Sequence, residues 1–385
     1  RLSISCLTNL SCTGPEGEEA FINAGGMDML AHFLTMGDDF LHECVKFFSG
    51  INNFTIDAAC AGKLILAGGL RPLISVLAST SVDVRHAAAT VLVNFTQTED
   101  HQRLFWDADI MTQLMAALGS DDDDLTATSE AARARRHVAI AVGNILLQPD
   151  GIGFIVECGG PAALVPLLHV GGVSSKHDPR LVASIARLGS IISQNEVGLK
   201  ALLTSGATAM GCQTLTAAAA GSSTNKRDTG VPPKVQRPGG GARKRRPSLM
   251  VQAPQREEVT DSSPTEQKKE EWEECMDRMI EFLLHLSVDE EARTEMIAGD
   301  VLKILCRRLK KDVDPEPGTT PHPHLNLVKL VFNLCHSDAA VVVMWTLEDW
   351  SSSECSLKQI MRIGDPELLE LSLSIIQQLH EQPPP

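Results

Sequence analysis

The chain has 385 residues, of which 43% are hydrophobic but only 4% aromatic, with no tyrosine, and it carries a formal net charge of −15. Such a length can bury a large apolar interior, either as two ordinary domains or as one elongated array, built here from Leu, Ile, Val, Ala and Met. So acidic a body excludes nucleic-acid binding over a broad surface, because phosphate backbones reward clustered Lys and Arg; the longest apolar runs stop well short of the ~18 residues that a membrane span requires.

In chain order, Leu2, Cys6, Leu7 and Leu10 already follow helical spacing and no Met precedes them, so a further N-terminal portion is expected upstream. A phrase then recurs in which an apolar run, a small residue and glycine lead straight into another apolar helix. It reads Phe21-Ile22-Asn23-Ala24-Gly25-Gly26, then Leu64-Ile65-Leu66-Ala67-Gly68-Gly69, then Phe154-Ile155-Val156-Glu157-Cys158-Gly159-Gly160. Weaker copies end at Gly206 and at Gly299-Asp300, and a copy without glycine runs from Trp106 to Ile110. Glycine just past a helix end adopts the left-handed cap, and a new helix restarts in another direction. No GxGxxG or GxxxxGK[ST] pattern accompanies these glycines, so they are read as corners and not as a phosphate cradle.

A second element sets the period. Asn9, Asn53, Asn94, Asn144 and Asn333 each lie late in a helical pattern, with an apolar residue two before and one after. The first three intervals are 44, 41 and 50 residues, the last lengthened by the acidic run Asp121–Asp124. Helices such as Val84-Ala87-Ala88-Val91-Leu92-Phe95 carry their apolar residues at i, i+3, i+4 and i+7. One repeat cannot cover such a stripe, so repeats of about 40–47 residues have to stack into a continuous core.

The chain resembles the armadillo-repeat family in these features: a short helix ending at Ala-Gly-Gly, a second helix such as Leu70 to Leu77, a polar turn (Ser79–Asp83), and a third helix such as Val84 to Phe95 with a late Asn. The resemblance is clearest over residues 1–206 and covers most of the chain outside 222–265. It implies an all-α fold, a right-handed α-solenoid of about six to eight armadillo-type repeats, that acts as a protein-binding scaffold. It further implies that third helices line a concave groove in which Asn9, Asn53, Asn94, Asn144 and Asn333 bond the backbone of an extended or helical partner segment. The alternative is that each Asn satisfies a local backbone group at a helix end. Arg85 and Arg135, nine residues before Asn94 and Asn144, together with Arg136, are read either as edging that groove for partner carboxylates or as solvated helix starts. Importin-α-type adaptors place Trp four residues before the groove Asn; here those positions hold Ser5, Ser49, Thr90, Ile140 and Lys329. Nuclear-localisation peptides are therefore not the expected ligand.

From about residue 222 to 265 the composition turns to Gly, Pro, Ser and charge, including Arg243-Lys244-Arg245-Arg246-Pro247-Ser248. Without an apolar face such a segment is expected to be a long disordered insertion. Its basic run has four readings: a nuclear-localisation-like signal, a tether to acidic partners, a segment regulated by phosphorylation of Ser248, or an inert loop. Helix is expected to resume with Ser263 as cap and Pro264 at the first helical position, and to run through Trp272, Met279, Phe282, Leu283 and Leu286. Setting Leu286 opposite Ser190 leaves one repeat period once the insertion is removed. The expected organisation is thus one array over 1–221 and 266–382 with an insertion at 222–265.

No catalytic constellation emerges: there is no HExxH, no GxSxG, and the twelve histidines are scattered. The ten cysteines, Cys6, Cys12, Cys44, Cys60, Cys158, Cys212, Cys275, Cys306, Cys335 and Cys355, include no CxxC pair and are expected as reduced core residues of an intracellular protein. No enzyme activity, cofactor, metal or small-molecule substrate is expected. The expectation is a cytoplasmic scaffold within a larger complex, as a structural component of a cytoskeletal or ciliary assembly, with nuclear residence open; an assembly chaperone or co-chaperone is the alternative.

Overall fold

The computed structural model describes residues 14–36, 40–41, 45–119, 129–168, 178–223, 264–313, 325–347, 355–363 and 365–381. The described segments are helical and contain no strand. Their helices fall into seven successive triplets. The first three are α1 (Pro15–Asn23), α2 (Gly26–Leu34), α3 (Val45–Thr55); α4 (Ala58–Leu66), α5 (Leu70–Val76), α6 (Val82–Phe95); and α7 (Glu99–Arg103), α8 (Ala108–Leu118), α9 (Glu130–Ile145). The next two are α10 (Pro149–Glu157), α11 (Gly160–Leu164, continued by a 3-10 turn Val165–Leu168), α12 (Pro179–Ser193); and α13 (Glu196–Thr204), α14 (Ala207–Ser223), α15 (Pro264–Leu286). The last two are α16 (Glu290–Ala298), α17 (Val301–Val313), α18 (Leu325–Leu334); and α19 (Asp338–Leu347), α20 (Ser356–Met361), α21 (Pro366–Glu381). The chain is an all-α solenoid of armadillo-type repeats.

Two layers give the solenoid its shape. Third helices pack side by side in the order α3, α6, α9, α12, α15, α18, α21, and second helices stack in the same order behind them. One hydrophobic cluster runs through the array, from Phe21 and Leu30 to Ile375 and Leu379. The stripe read from the sequence of α6 is its inner face: Val84, Ala88, Val91, Leu92 and Phe95 are all fully buried. No single described helix is long and apolar enough to cross a membrane.

The Gly-Gly corners divide their labour. Gly68 and Gly159 hold φ of 87° and 75°, the left-handed conformation that L side chains resist. The second glycine faces a space constraint instead: a Cβ on Gly69 would sit 2.9 Å from the Leu64 carbonyl oxygen, and one on Gly160 would sit 2.4 Å from Ile155 Cγ1. The sixth repeat departs from this pattern. There Asp300, not Gly299, takes the positive φ of 60°, a conformation that Asp tolerates because its short side chain bonds locally. In the third repeat, which lacks the glycines, Asp107 caps α8 by accepting from the Asp109 and Ile110 N–H groups at 3.0 and 3.2 Å.

The fifth triplet spans the insertion. The Phe282 ring of α15 occupies the space where a Gly189 Cβ would stand, 2.5 Å from the built position, and Leu283 does the same at Gly211 of α14. Helix α15 starts at Pro264 as expected, while its proposed cap Ser263 lies outside the described residues. Spacing to the next helix corrects the register: Phe95, Ile145, Ile192 and Leu286 each stand three residues before the N-cap of the following first helix. Leu286 therefore matches Ile192, not Ser190, because burial and the cap position fix the register where sequence spacing across an insertion cannot.

Candidate functional site: the third-helix face

At the C-terminal ends of the third helices, the late polar side chains bond backwards to the preceding repeat. Asn94 is buried, 8% exposed. Its Nδ2 donates to the Asn52 carbonyl at 3.3 Å, to Asn52 Oδ1 at 3.0 Å and to Thr55 Oγ1 at 3.1 Å, and its Oδ1 accepts from Gln97. Asn144 donates to Thr96 Oγ1 at 3.1 Å, and Asn333 to Ser287 Oγ at 2.8 Å. Asn53 is half-buried in α3. Asn9 lies outside the described residues, as do Arg243, Lys244, Arg245, Arg246 and Ser248.

The corrected register adds a rung that carries no asparagine. His285 stands at the Asn position of the fifth repeat, with Nδ1 3.1 Å from both the Ser190 carbonyl and Ser193 Oγ. A carbonyl only accepts, so the Nδ1 proton is on His285. In the fourth repeat the two rung positions are Ile191 and Leu146, both apolar. Polar therefore meets polar and apolar meets apolar along the ladder. The partner hydroxyls Thr55, Thr96, Ser193 and Ser287 are each the residue two after the Asn position.

The three arginines separate. Arg85 donates to the Ser79 carbonyl at 2.7 Å and reaches that of Thr80, closing the end of the second-helix segment. Arg135, at the matching place in α9, is only 4% exposed and lies within the packed repeat, not on the groove edge. Arg136, one residue on, turns to the open face. There it joins Ile140 of α9, Arg180 and Arg187 of α12, and Glu270 and Glu274 of α15 around a cleft of about 630 Å³. Ala183 and Ser184 form small floor residues. A 2.7 Å ion pair, Arg180 to Glu271, joins α12 to α15 there.

Burial shapes the charges around this cleft. It raises the Asp178 and Glu271 carboxyls above their ordinary range, although Arg136 and Arg180 pull the other way. Just along the face, His86 and His137 stack with centroids 5.2 Å apart. Glu130 meets His86 Nδ1 at 2.5 Å, and the Thr90 hydroxyl lies 3.1 Å from His137 Nδ1. Burial lowers both imidazoles, His137 to about 4, with Glu130 opposing the shift at His86. Thr90, one of the positions that carry Trp in importin-α-type grooves, is thus part of a histidine cluster.

Nothing among the described residues gathers three His, Cys, Asp or Glu side chains in a metal-holding arrangement. The described cysteines are free thiols, and burial pushes Cys212, Cys275 and Cys335 up to about 12. Cys6, Cys12 and Cys44 lie outside the described residues.

No family model and no curated protein matches the sequence. Among solved structures, the chain is similar to an engineered protein at 17% identity and a TM-score of 0.52, covering 80% of this chain and 96% of that one. A second engineered protein aligns at 16% identity and a TM-score of 0.51, covering 81% and 99%. A designed armadillo repeat protein aligns at 16% identity and a TM-score of 0.45, covering 72% and 91%. At these identities the likeness is one of fold alone.

Proposed function

We propose that this armadillo-type solenoid is a non-enzymatic scaffold that holds an extended or helical segment of a partner protein along its third-helix face. The observation that carries this reading is the cleft shared by α9, α12 and α15: a small-residue floor under charged side chains, open to solvent. The Asn ladder then acts beside the partner, setting the distance between rungs, with half-buried Asn144 and Asn333 each retaining an amide oxygen for a passing backbone.

The reading treats residues 1–221 and 266–382 as one array with 222–265 inserted in its fifth repeat, and the seating of Phe282 on Gly189 supports that continuity. A basic run at Arg243–Arg246 would add attraction for an acidic partner, weakened by phosphate on Ser248. A cytoplasmic scaffold in a cytoskeletal or ciliary assembly and an assembly chaperone would use the same face differently. The scaffold would retain its partner stoichiometrically after purification, whereas the chaperone would release it once folded.

A photo-crosslinking residue at Gln267, on the cleft wall, tests the reading in cells, with Leu66, 86% exposed on a first helix, as control. Crosslinks from Gln267 should concentrate on a continuous segment of one partner or a few. Equal yields and the same products from Leu66 would remove the reading.

A further inference from the structure

The charged walls of the cleft are already partly satisfied, and what remains is segregated by sign. Arg180 is committed to Glu271, and Arg278 of α15 is paired with Glu281. Arg187 of α12 remains exposed, as do Glu270 and Glu274 of α15. We propose that this cleft receives an extended partner segment of two-signed charge, an acidic residue set against Arg187 and basic residues set against Glu270 and Glu274. The inference rests on the scaffold reading and deepens it.

Helix geometry supplies the spacing. The contacts Arg180–Glu271 and Gly189–Phe282 fix the register of α12 against α15. Carried along both helices, that register sets Arg187 about four to ten residues beyond the levels of Glu274 and Glu270, roughly 6–15 Å at 1.5 Å per residue. Across the cleft the helices add a spacing of about 8–10 Å. The charges stand apart along the cleft, and an extended chain rising about 3.3 Å per residue bridges them in about three to six residues. Ala183 and Ser184 let a backbone approach the floor. Partly dehydrated walls, marked by the raised Glu271 carboxyl, strengthen charge recognition there relative to open surface.

The experiment uses the full chain and labelled peptides of the type Glu-Val-Ser-Thr-Lys-Lys, in that order and reversed, against all-acidic and all-basic peptides of equal length. One order of the mixed peptide should bind more tightly than either control. Arg187→Glu and Glu274→Lys should each weaken it about fivefold. A peptide whose Glu is replaced by Lys should regain affinity on Arg187→Glu alone. Circular dichroism, with Arg187→Gln as a second variant, separates loss of charge from loss of fold.

Equal binding of the all-basic peptide, indifference to both reversals, or no binding of either mixed peptide at millimolar concentration would each overturn the proposal. Gln267 crosslinks that persist despite such a result would leave the scaffold reading standing; their absence would remove both.

Discussion

The third-helix face has two regions that use polarity in opposite ways. At the C-terminal ends of α3, α6, α9, α15 and α18, neutral amides, an imidazole and hydroxyls bond across repeats and are largely withdrawn from solvent. Along the bodies of α9, α12 and α15, full charges stand around an open cleft with several exposed members. A neutral hydrogen bond between buried partners fixes a repeat distance at modest desolvation cost, whereas charges kept near water remain available for exchange with a ligand. The amide ladder thus bonds repeat to repeat, while the charged side chains around the cleft stay open to solvent.

The histidine stack, on α6 and α9 at the level of Arg136, gives the largest expected effect. Both imidazoles are held below 6.5, so the folded chain declines protons that the unfolded chain accepts. Stability is therefore full above about pH 6.5 and is lost as pH falls toward 4, by up to about 3 kcal/mol from His137, with His86 acting in the same direction. Asp178 and Glu271, whose carboxyls are raised, act with the opposite sign in acid. The measurable quantity is thus the difference between wild type and His137→Gln in urea unfolding from pH 7.5 to 4.5. Parallel curves would show that His137 is not a neutral, framework-side group.

Next in size, Asn94→Ala should cost about 2 kcal/mol, since it removes several bonds at a buried site. The affinity of the cleft for a charged peptide should hold, because the lost contacts lie in α3 and α6, outside the cleft lining. A drop in affinity at temperatures where the variant remains folded would merge the two regions into one site. A third test rebuilds the apolar rung. Ile191→Asn and Leu146→Thr should each destabilise alone, and the pair should cost about 1 kcal/mol less than the sum if the ladder rule holds.

Much of this arrangement was legible in the sequence, but selectively. Gly-Gly corners and the periodic Asn gave the triplets, because backbone conformation and stripe burial are local requirements. The rung partners were also in view: Asn53-Phe54-Thr55, Asn94-Phe95-Thr96 and His285-Leu286-Ser287 share one spelling, and Asn9-Leu10-Ser11 repeats it. The hydroxyl that takes the bond, and with it His285, falls outside a pattern defined by Asn alone. Burial of Arg135 was not legible, since Arg135 and Arg136 differ only by 100° of helix turn in a register that the stacking decides. The cleft was equally hidden. It joins Arg180 to Glu271 across an insertion whose length carries no information about the helix pairing on either side.

The smallest expected effect separates the regions most cleanly. Arg187 and Glu274 stand exposed with no bond to another described side chain, so Arg187→Ala and Glu274→Ala should change unfolding free energy by less than about 0.5 kcal/mol, as surface substitutions do. Both should nevertheless weaken binding of the two-signed peptide, and added salt should abolish the difference from wild type, since screening acts on exposed charges within about 10 Å at 0.1 M. The framework variants Asn94→Ala and Ile191→Asn should show the reverse profile: lower stability at every salt concentration and an affinity that falls with salt as steeply as in wild type. If Arg187→Ala instead lowered stability by 1 kcal/mol or more, the charge would belong to the frame, and the division between a neutral ladder and a charged cleft would fail where it is most exposed.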